Sequence, residues 1–273
     1  MNTAEASVEV LTGRRADRTR VALFDFDGTL SLIRSGWFDV MVPMMVETLR
    51  ELNTGETEEE LEALVREYVY RLTGKQTIYQ MIELARQVEL RGGRPEDPLV
   101  YKYRYLDRLH ARIRHRLEEL ETGAAPPEKY LVPGSRELLE LLRGRGMTLY
   151  LASGTDQQFM RREADLLGLT PYFNGGVFGA LDDYRSFSKK ILIERIIGRA
   201  ECSGDEILAF GDGYVEIENV KAVGGVAVGV ATDEPECRRV DEWKRQRLIA
   251  AGADYIIPNY LCLDELKRCL FGE

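Results

Sequence analysis

The spacing of apolar positions changes its period twice along the chain. Val21-Ala22-Leu23-Phe24 is an unbroken apolar run that ends in Asp25-Phe26-Asp27-Gly28-Thr29. Four apolar residues in a row fit a strand buried on both faces, as in a parallel sheet, and Asp27-Gly28 is turn chemistry that ends it. After Thr29 the period becomes helical. Trp37, Val40, Met41, Met44, Met45, Leu49 and Leu52 form one stripe, with Pro43 placed to kink or restart it. Thr57 then opens a helix whose first turn holds Glu58, Glu59 and Glu60, where the dipole favours negative charge. Gly74-Lys75-Gln76-Thr77 breaks the pattern, and Ile78, Met81 and Ile82 resume it. Arg91-Gly92-Gly93-Arg94-Pro95 is a loop, and Leu106, Leu109, Ile113, Leu117 and Leu120 stripe a last helix.

Gly123-Ala124-Ala125-Pro126-Pro127 ends the helical block, and from Pro133-Gly134 helix and strand alternate. Helices are expected at 135–143, 156–167, 189–199, 215–223, near 236–250 and at 263–270, with strands at 147–152, 206–210, 226–230 and 254–257. Such alternation means a parallel sheet covered on both faces. The expected fold is therefore α/β, a doubly wound Rossmann-like core made of residues 1–31 and 131–273 and interrupted by a helical insertion at 32–130.

Length and charge narrow the possible partners. A chain of 273 residues, 44% apolar and 30% charged, buries a full core. Its net charge of -9 argues against nucleic acid or an anionic membrane as the main partner. Cys202, Cys237, Cys262 and Cys269 lack metal-site spacing and read as reduced thiols. No run approaches a membrane span and no leader signal opens the chain, so a soluble cytoplasmic protein is expected. Arg14, Arg15, Arg18 and Arg20 read as a mobile or solvated arm. Arg104, Arg108, Arg112 and Arg116 recur every four residues as a solvated helix face, and His110 and His115 have no partner at catalytic spacing.

In open α/β sheets ligands bind at the carboxyl ends of the strands, which is where Asp25 and Asp27 fall. Three later stretches end in polar residues of the same kind: Leu149-Tyr150-Leu151-Ala152-Ser153-Gly154-Thr155, then Ser188-Lys189-Lys190, then Ile207-Leu208-Ala209-Phe210-Gly211-Asp212-Gly213. In this order the four stretches resemble the motifs of the haloacid dehalogenase superfamily of phosphohydrolases. The resemblance spans residues 21 to 230 apart from the insertion. That insertion lies where the superfamily places a helical C1 cap, as in enzymes resembling phosphoglycolate phosphatase and β-phosphoglucomutase.

The residues suit phosphoryl transfer, which needs neutralised oxygens, an in-line nucleophile and a protonated leaving group. Asp25 is the candidate nucleophile, forming an aspartyl-phosphate. Asp27 is the candidate general acid and then base. Ser153, with Gly154, Gly28 and Thr29, is expected to hold phosphoryl oxygens. Asp25 and Asp212 form a hard oxygen set suited to Mg2+.

The resemblance adds that Asp27 also supplies a backbone carbonyl to the metal. It implies too that an aspartate at this position separates phosphatases from the dehalogenase and phosphonatase branches. It favours Lys189 over Lys190 as the catalytic lysine, by the register of Leu192, Ile193 and Ile196. The family's second acidic residue corresponds to Glu216, whose longer side chain meets the metal directly or through water. Lys75, in the break where C1 caps carry a specificity loop, is a candidate substrate contact.

The expected activity is Mg2+-dependent hydrolysis of a small phosphorylated metabolite. A phosphosugar mutase and a catalytically silent binding module are the alternatives. No feature sets the oligomeric state.

Overall fold

The computed structural model describes residues 7–184, 188–200 and 202–273. It divides into two compact units, one built from the segments up to Ser35 and from Arg116 onward, the other from Gly36–His115. The helical unit is shorter than the 32–130 insertion expected from the sequence. Residues on both flanks pack within the sheet unit instead: the Leu32 amide donates to the Tyr130 carbonyl, and Val132 donates to Leu30. Arg116 departs from the solvated-face reading as well, because its guanidinium donates to the carbonyls of Ile33 and Ser35 at 2.8 and 2.9 Å.

The sheet unit holds β1 (Glu9–Val10), β2 (Val21–Phe24), β3 (Thr148–Asp156), β4 (Gly176–Ala180), β5 (Ile207–Gly211), β6 (Val226–Val230) and β7 (Tyr255–Ile257). Their order across the sheet is β1-β7-β6-β5-β2-β3-β4. All described pairs are parallel except β1 against β7. β2 lies centrally, with Phe24 opposite Leu151 on one side and Phe210 on the other. It is buried along its whole length, as its apolar run requires. The rings of Phe24 and Phe210 stack with centroids 4.7 Å apart.

The helical unit holds α1 (Phe38–Arg50), α2 (Glu58–Leu72), α3 (Thr77–Leu90) and most of α4 (Pro98–Thr122), which continues into the sheet unit. α1 runs through Pro43 without a break. A capping box between Thr57 and Glu60 starts α2, and the hydroxyl of buried Tyr68 meets Met45 Sδ at 3.2 Å. Arg104, Arg108 and Arg112 are partly exposed and pair with Glu96, Glu47 and Asp39.

The sheet unit is completed by α5 (Ser135–Gly144), α6 (Gln157–Leu166), α7 (Lys189–Ala200), α8 (Tyr214–Ala222), α9 (Glu242–Ala250) and α10 (Leu263–Phe271). Several boundaries differ from the sequence reading. β3 runs on through Ser153 to Asp156, with an irregular register against β4 between Ala152 and Asp156, so Ser153 lies in the strand instead of ending it. β4 was not expected at all. A Cβ at Gly175, just before the strand, would meet the Tyr150 ring, and one at Gly176 would meet the Phe178 ring. α9 starts at Glu242 and not near 236, because the Asp241 carboxylate caps it by accepting the Lys244 amide at 2.9 Å.

Of the mobile or solvated arm expected, the arginines are solvated but the segment is tied down, apart from residues 1–6, which lie outside the described residues. β1 pairs with β7, Arg14 donates to the Gly224 carbonyl, and Arg15, Arg18 and Arg20 pair with Asp17, Asp205 and Glu206. The fully buried Asp254 carboxylate anchors the same region. It accepts from the Thr12 hydroxyl at 2.6 Å, Lys221 Nζ at 2.8 Å and the Ala227 amide at 2.9 Å. The four cysteines are free thiols, as expected. No described helix is long and apolar enough to cross a membrane.

Two predictions follow from these ties. Asp254→Ala strips a lysine, a hydroxyl and an amide of their buried acceptor, and urea unfolding should show a loss of about 2–3 kcal/mol. Glu206 is held down to about 2 by bonds from Arg20 and the Ser203 amide. Stability linked to that depression is present above the ordinary value of 4.5 and is lost as pH falls toward about 2. Carbon-13 NMR titration should place the Glu206 midpoint at about 2, and Arg20→Gln should raise it toward 4.5.

Candidate active site

The carboxyl ends of β2, β3 and β5 lie side by side, so residues distant in sequence converge there. Asp25 follows β2 directly, and its amide donates to the Phe210 carbonyl of β5 at 2.9 Å. Its buried carboxylate meets Lys189 Nζ at 2.9 Å, and the same ammonium donates to Glu216 Oε2 at 2.7 Å. Lys190, the other lysine considered, is exposed. α7 makes this distinction, because Leu192, Ile193 and Ile196 bury one face of the helix and carry Lys189 with it.

Asp212 follows β5 directly, and Glu216 lies in the first turn of α8. Glu216 Oε1 accepts the Gly213 amide at 2.8 Å, and its side chain fills the space beside Gly211 that a Cβ there would need. Asp25, Asp212 and Glu216 offer carboxylate oxygens that all lie within 4.8 Å of one another. Burial drives the Asp25 carboxyl well above its ordinary range; Lys189 opposes the rise, while Glu216 and Asp212 add to it. Burial raises Glu216 too, against the pull of Lys189. Lys189 stays charged, since the two carboxylates outweigh the burial that would depress it.

With Glu234 included, four linked carboxylates against Lys189 and Lys244 leave an excess of negative charge. Hard oxygen donors with such an excess fit a divalent cation such as Mg2+.

Asp27 lies on the other side of the turn. Its Oδ2 accepts from the Thr155 hydroxyl at 2.8 Å and from the Ser153 hydroxyl at 3.2 Å. Its buried Oδ1 has no hydrogen-bond partner, and Arg34 Nε stands 3.9 Å away. Burial pushes Asp27 up to about 6; Glu163 adds to the rise, and Arg34, Thr155 and Ser153 oppose it. The Arg34 guanidinium is itself buried and clasped by Glu163 at 2.7–3.1 Å. A carboxyl that titrates at about 6 in a crevice is suited to give and take protons.

Gly28 has a φ of +71°, and a Cβ there would collide with Asp212 and stand 2.7 Å from Glu234 Oε1. The turn therefore admits little but glycine. Thr29 is fully buried. Its hydroxyl oxygen accepts the Asp212 amide at 3.0 Å and its carbonyl accepts the Tyr260 hydroxyl at 3.0 Å, so it braces two loops instead of opening toward a ligand. Gly154 follows Ser153 within β3. Lys75 belongs to the helical unit, where it is exposed and lies 5.9 Å from the Tyr79 ring centre.

The sequence reading missed Thr155, Arg34, Glu163, Lys244 and Glu234. Arg34 had a local signal, a lone charge after the apolar pair Leu32-Ile33. Lys244 had none, because its stretch Glu242-Trp243-Lys244-Arg245 reads as a solvated face. Yet it is largely buried, with Nζ 3.0 Å from Asp212 Oδ2 and 2.6 Å from Glu234 Oε1.

A family model described as haloacid dehalogenase-like hydrolase matches residues 19–224. No match was found among curated proteins. Among solved structures, the chain is similar to a predicted phosphoglycolate phosphatase from Haemophilus somnus 129pt. That match has 16% identity and a TM-score of 0.59, covering 92% of this chain and 98% of the other. It is also similar to a predicted phosphatase from Clostridium acetobutylicum, with 19% identity, a TM-score of 0.58 and coverage of 92% and 97%. A third is a HAD family hydrolase from Deinococcus radiodurans R1 with bound phosphate and sodium, at 16% identity, a TM-score of 0.53 and coverage of 93% and 97%. At these identities the likeness is one of fold.

The hydroxyl contacts to Asp27 generate a prediction for the metal-free protein. Hydrogen bonds to a carboxylate favour its charged form, so Thr155→Val should raise the Asp27 midpoint above about 6 in a carbon-13 NMR titration.

Proposed function

The chain belongs to the haloacid dehalogenase-like hydrolases, and on that premise we propose that it is a Mg2+-dependent phosphatase acting on a small phosphorylated metabolite through an aspartyl-phosphate. The observation that carries this reading is the buried Asp25 carboxylate held by Lys189 beside Asp212 and Glu216, with Asp27 across the turn. Asp25, Asp212 and the Asp27 backbone carbonyl would hold the metal, with Glu216 meeting it directly or through water. Bound there, Mg2+ supplies positive charge that neutralises phosphoryl oxygens and keeps Asp25 ionised.

The chain's own residues perform the transfer. An Asp25 carboxylate oxygen attacks phosphorus in line, forming an O–P bond as the ester P–O bond breaks. The Asp27 carboxylic acid gives its proton to the departing alkoxide. The resulting Asp27 carboxylate then takes a proton from water as that water attacks phosphorus and releases Asp25 and inorganic phosphate. Lys189 holds Asp25 in place and offsets charge at the transferring group. We assign a phosphoryl oxygen to Ser153 and the adjacent Gly154 backbone, a reading supported by the Ser153 and Thr155 hydroxyls that orient the neighbouring Asp27. We assign discrimination among esters to the inserted helical unit and Lys75, because the core chemistry suits any phosphoryl group.

Asp25→Asn removes the nucleophilic charge at nearly constant volume. Turnover of an aryl phosphate with Mg2+ should fall at least about a thousandfold; unchanged turnover would exclude Asp25 as the nucleophile. Phosphate released in proportion to ester consumed distinguishes hydrolysis from transfer to a second hydroxyl.

A further inference from the structure

Lys244 lies outside the four motif stretches, on α9, yet it reaches the centre of the site. Its Nζ bridges Asp212 Oδ2 at 3.0 Å and Glu234 Oε1 at 2.6 Å, with only 13% of its side chain exposed. The two carboxylates keep it charged against the burial that would depress it. Glu234 belongs to the same pocket, since both it and Asp212 crowd the face of the Gly28 turn where a Cβ would project. α9 is fixed at its start by the Asp241 cap, which bonds the amide of Lys244 itself.

We propose that Lys244 is a resident cation that competes with the divalent metal for Asp212, and that Glu234 is the acceptor that holds its ammonium when Asp212 turns to the metal. This rests on the reading of Asp25, Asp212 and Glu216 as the metal site. The charge balance supports it. Along the linked ion pairs, four carboxylates, Asp25, Asp212, Glu216 and Glu234, face two lysines, Lys189 and Lys244. Once Lys244 is neutralised by Glu234, the three clustered carboxylates and Lys189 carry the net negative charge that a divalent ion matches.

Without Glu234, metal entry would leave a buried ammonium facing a second cation with no counter-charge, an arrangement strongly disfavoured at short range. With it, Lys244 sets how much metal the site needs before Asp212 is released. The lysine is thus a positioning residue, acting on metal affinity through Asp212.

The test is Mg2+ binding by the intact chain, measured by isothermal titration calorimetry without substrate. Lys244→Met should tighten binding by about tenfold or more, since it removes both competition and repulsion. Glu234→Gln should weaken binding, because Lys244 then has Asp212 as its one carboxylate. In the Lys244→Met background, Glu234→Gln should change nothing, which separates an acceptor for the lysine from a direct ligand of the metal.

Weaker or unchanged binding in Lys244→Met would overturn the proposal, as would a loss of affinity from Glu234→Gln that persists in the double variant. Should Lys244→Met fail to fold, Lys244→Gln takes its place with the same expected sign. Absence of Mg2+ binding in both the unsubstituted chain and the lysine variant would overturn the metal reading and this proposal together. Binding by the unsubstituted chain that Lys244→Met leaves unchanged would sink this proposal alone.

Discussion

The ion pair between Asp25 and Lys189 sets the terms for the rest of the structure. A carboxylate at the end of a fully buried strand has lost most of its hydration, and burial drives its pKa well above the ordinary range against the opposing pull of Lys189. Lys189 shares its charge with Glu216, so the cluster stays short of cations. Burial makes the charged carboxylate costly to maintain. The same shortage explains why a second lysine is drawn in from α9.

Keeping such a cluster together requires a stiff frame. The parallel order β5-β2-β3 places three strand ends side by side, and its crossovers put helices on both faces. Contacts across the turns then take up the remaining freedom. Thr29 joins the first turn to the Asp212 loop, Tyr260 reaches Thr29 from the C-terminal segment, and the Arg34–Glu163 pair links the first turn to α6. None of these braces need touch a substrate, but each limits how far the carboxylates can separate in response to their own repulsion. The close approach at Gly28 belongs to the same economy of space, since the carboxylates of Asp212 and Glu234 crowd against its backbone.

Much of this was legible from the chain alone. The apolar runs at 21–24, 207–210 and 226–230 identified buried parallel strands, and among the polar residues that follow the first two are Asp25 and Asp212, which the structure brings together. The resemblance favoured Lys189 over Lys190 through the register of Leu192, Ile193 and Ile196, and the structure buries the first lysine and exposes the second. Less legible were β1, which is two residues long, and β4, whose Gly176 and Gly179 break up any apolar run. The arginines near the N-terminus are solvated, as read, but their pairing with Asp205 and Glu206 was hidden because those partners lie far along the chain.

The sequence by itself determined the periods, and with them most of the elements and the fold class. Hydrophobic repeat and turn chemistry act between near neighbours and are written locally. Only the tertiary structure decided which charges meet: that Thr155 joins Ser153 on Asp27, that Arg34 is clasped by Glu163, and that Lys244 lies against Asp212. Electrostatic pairing acts through space between residues far apart in the chain. A lysine in a polar helix therefore looks the same in sequence whether it faces water or a buried carboxylate.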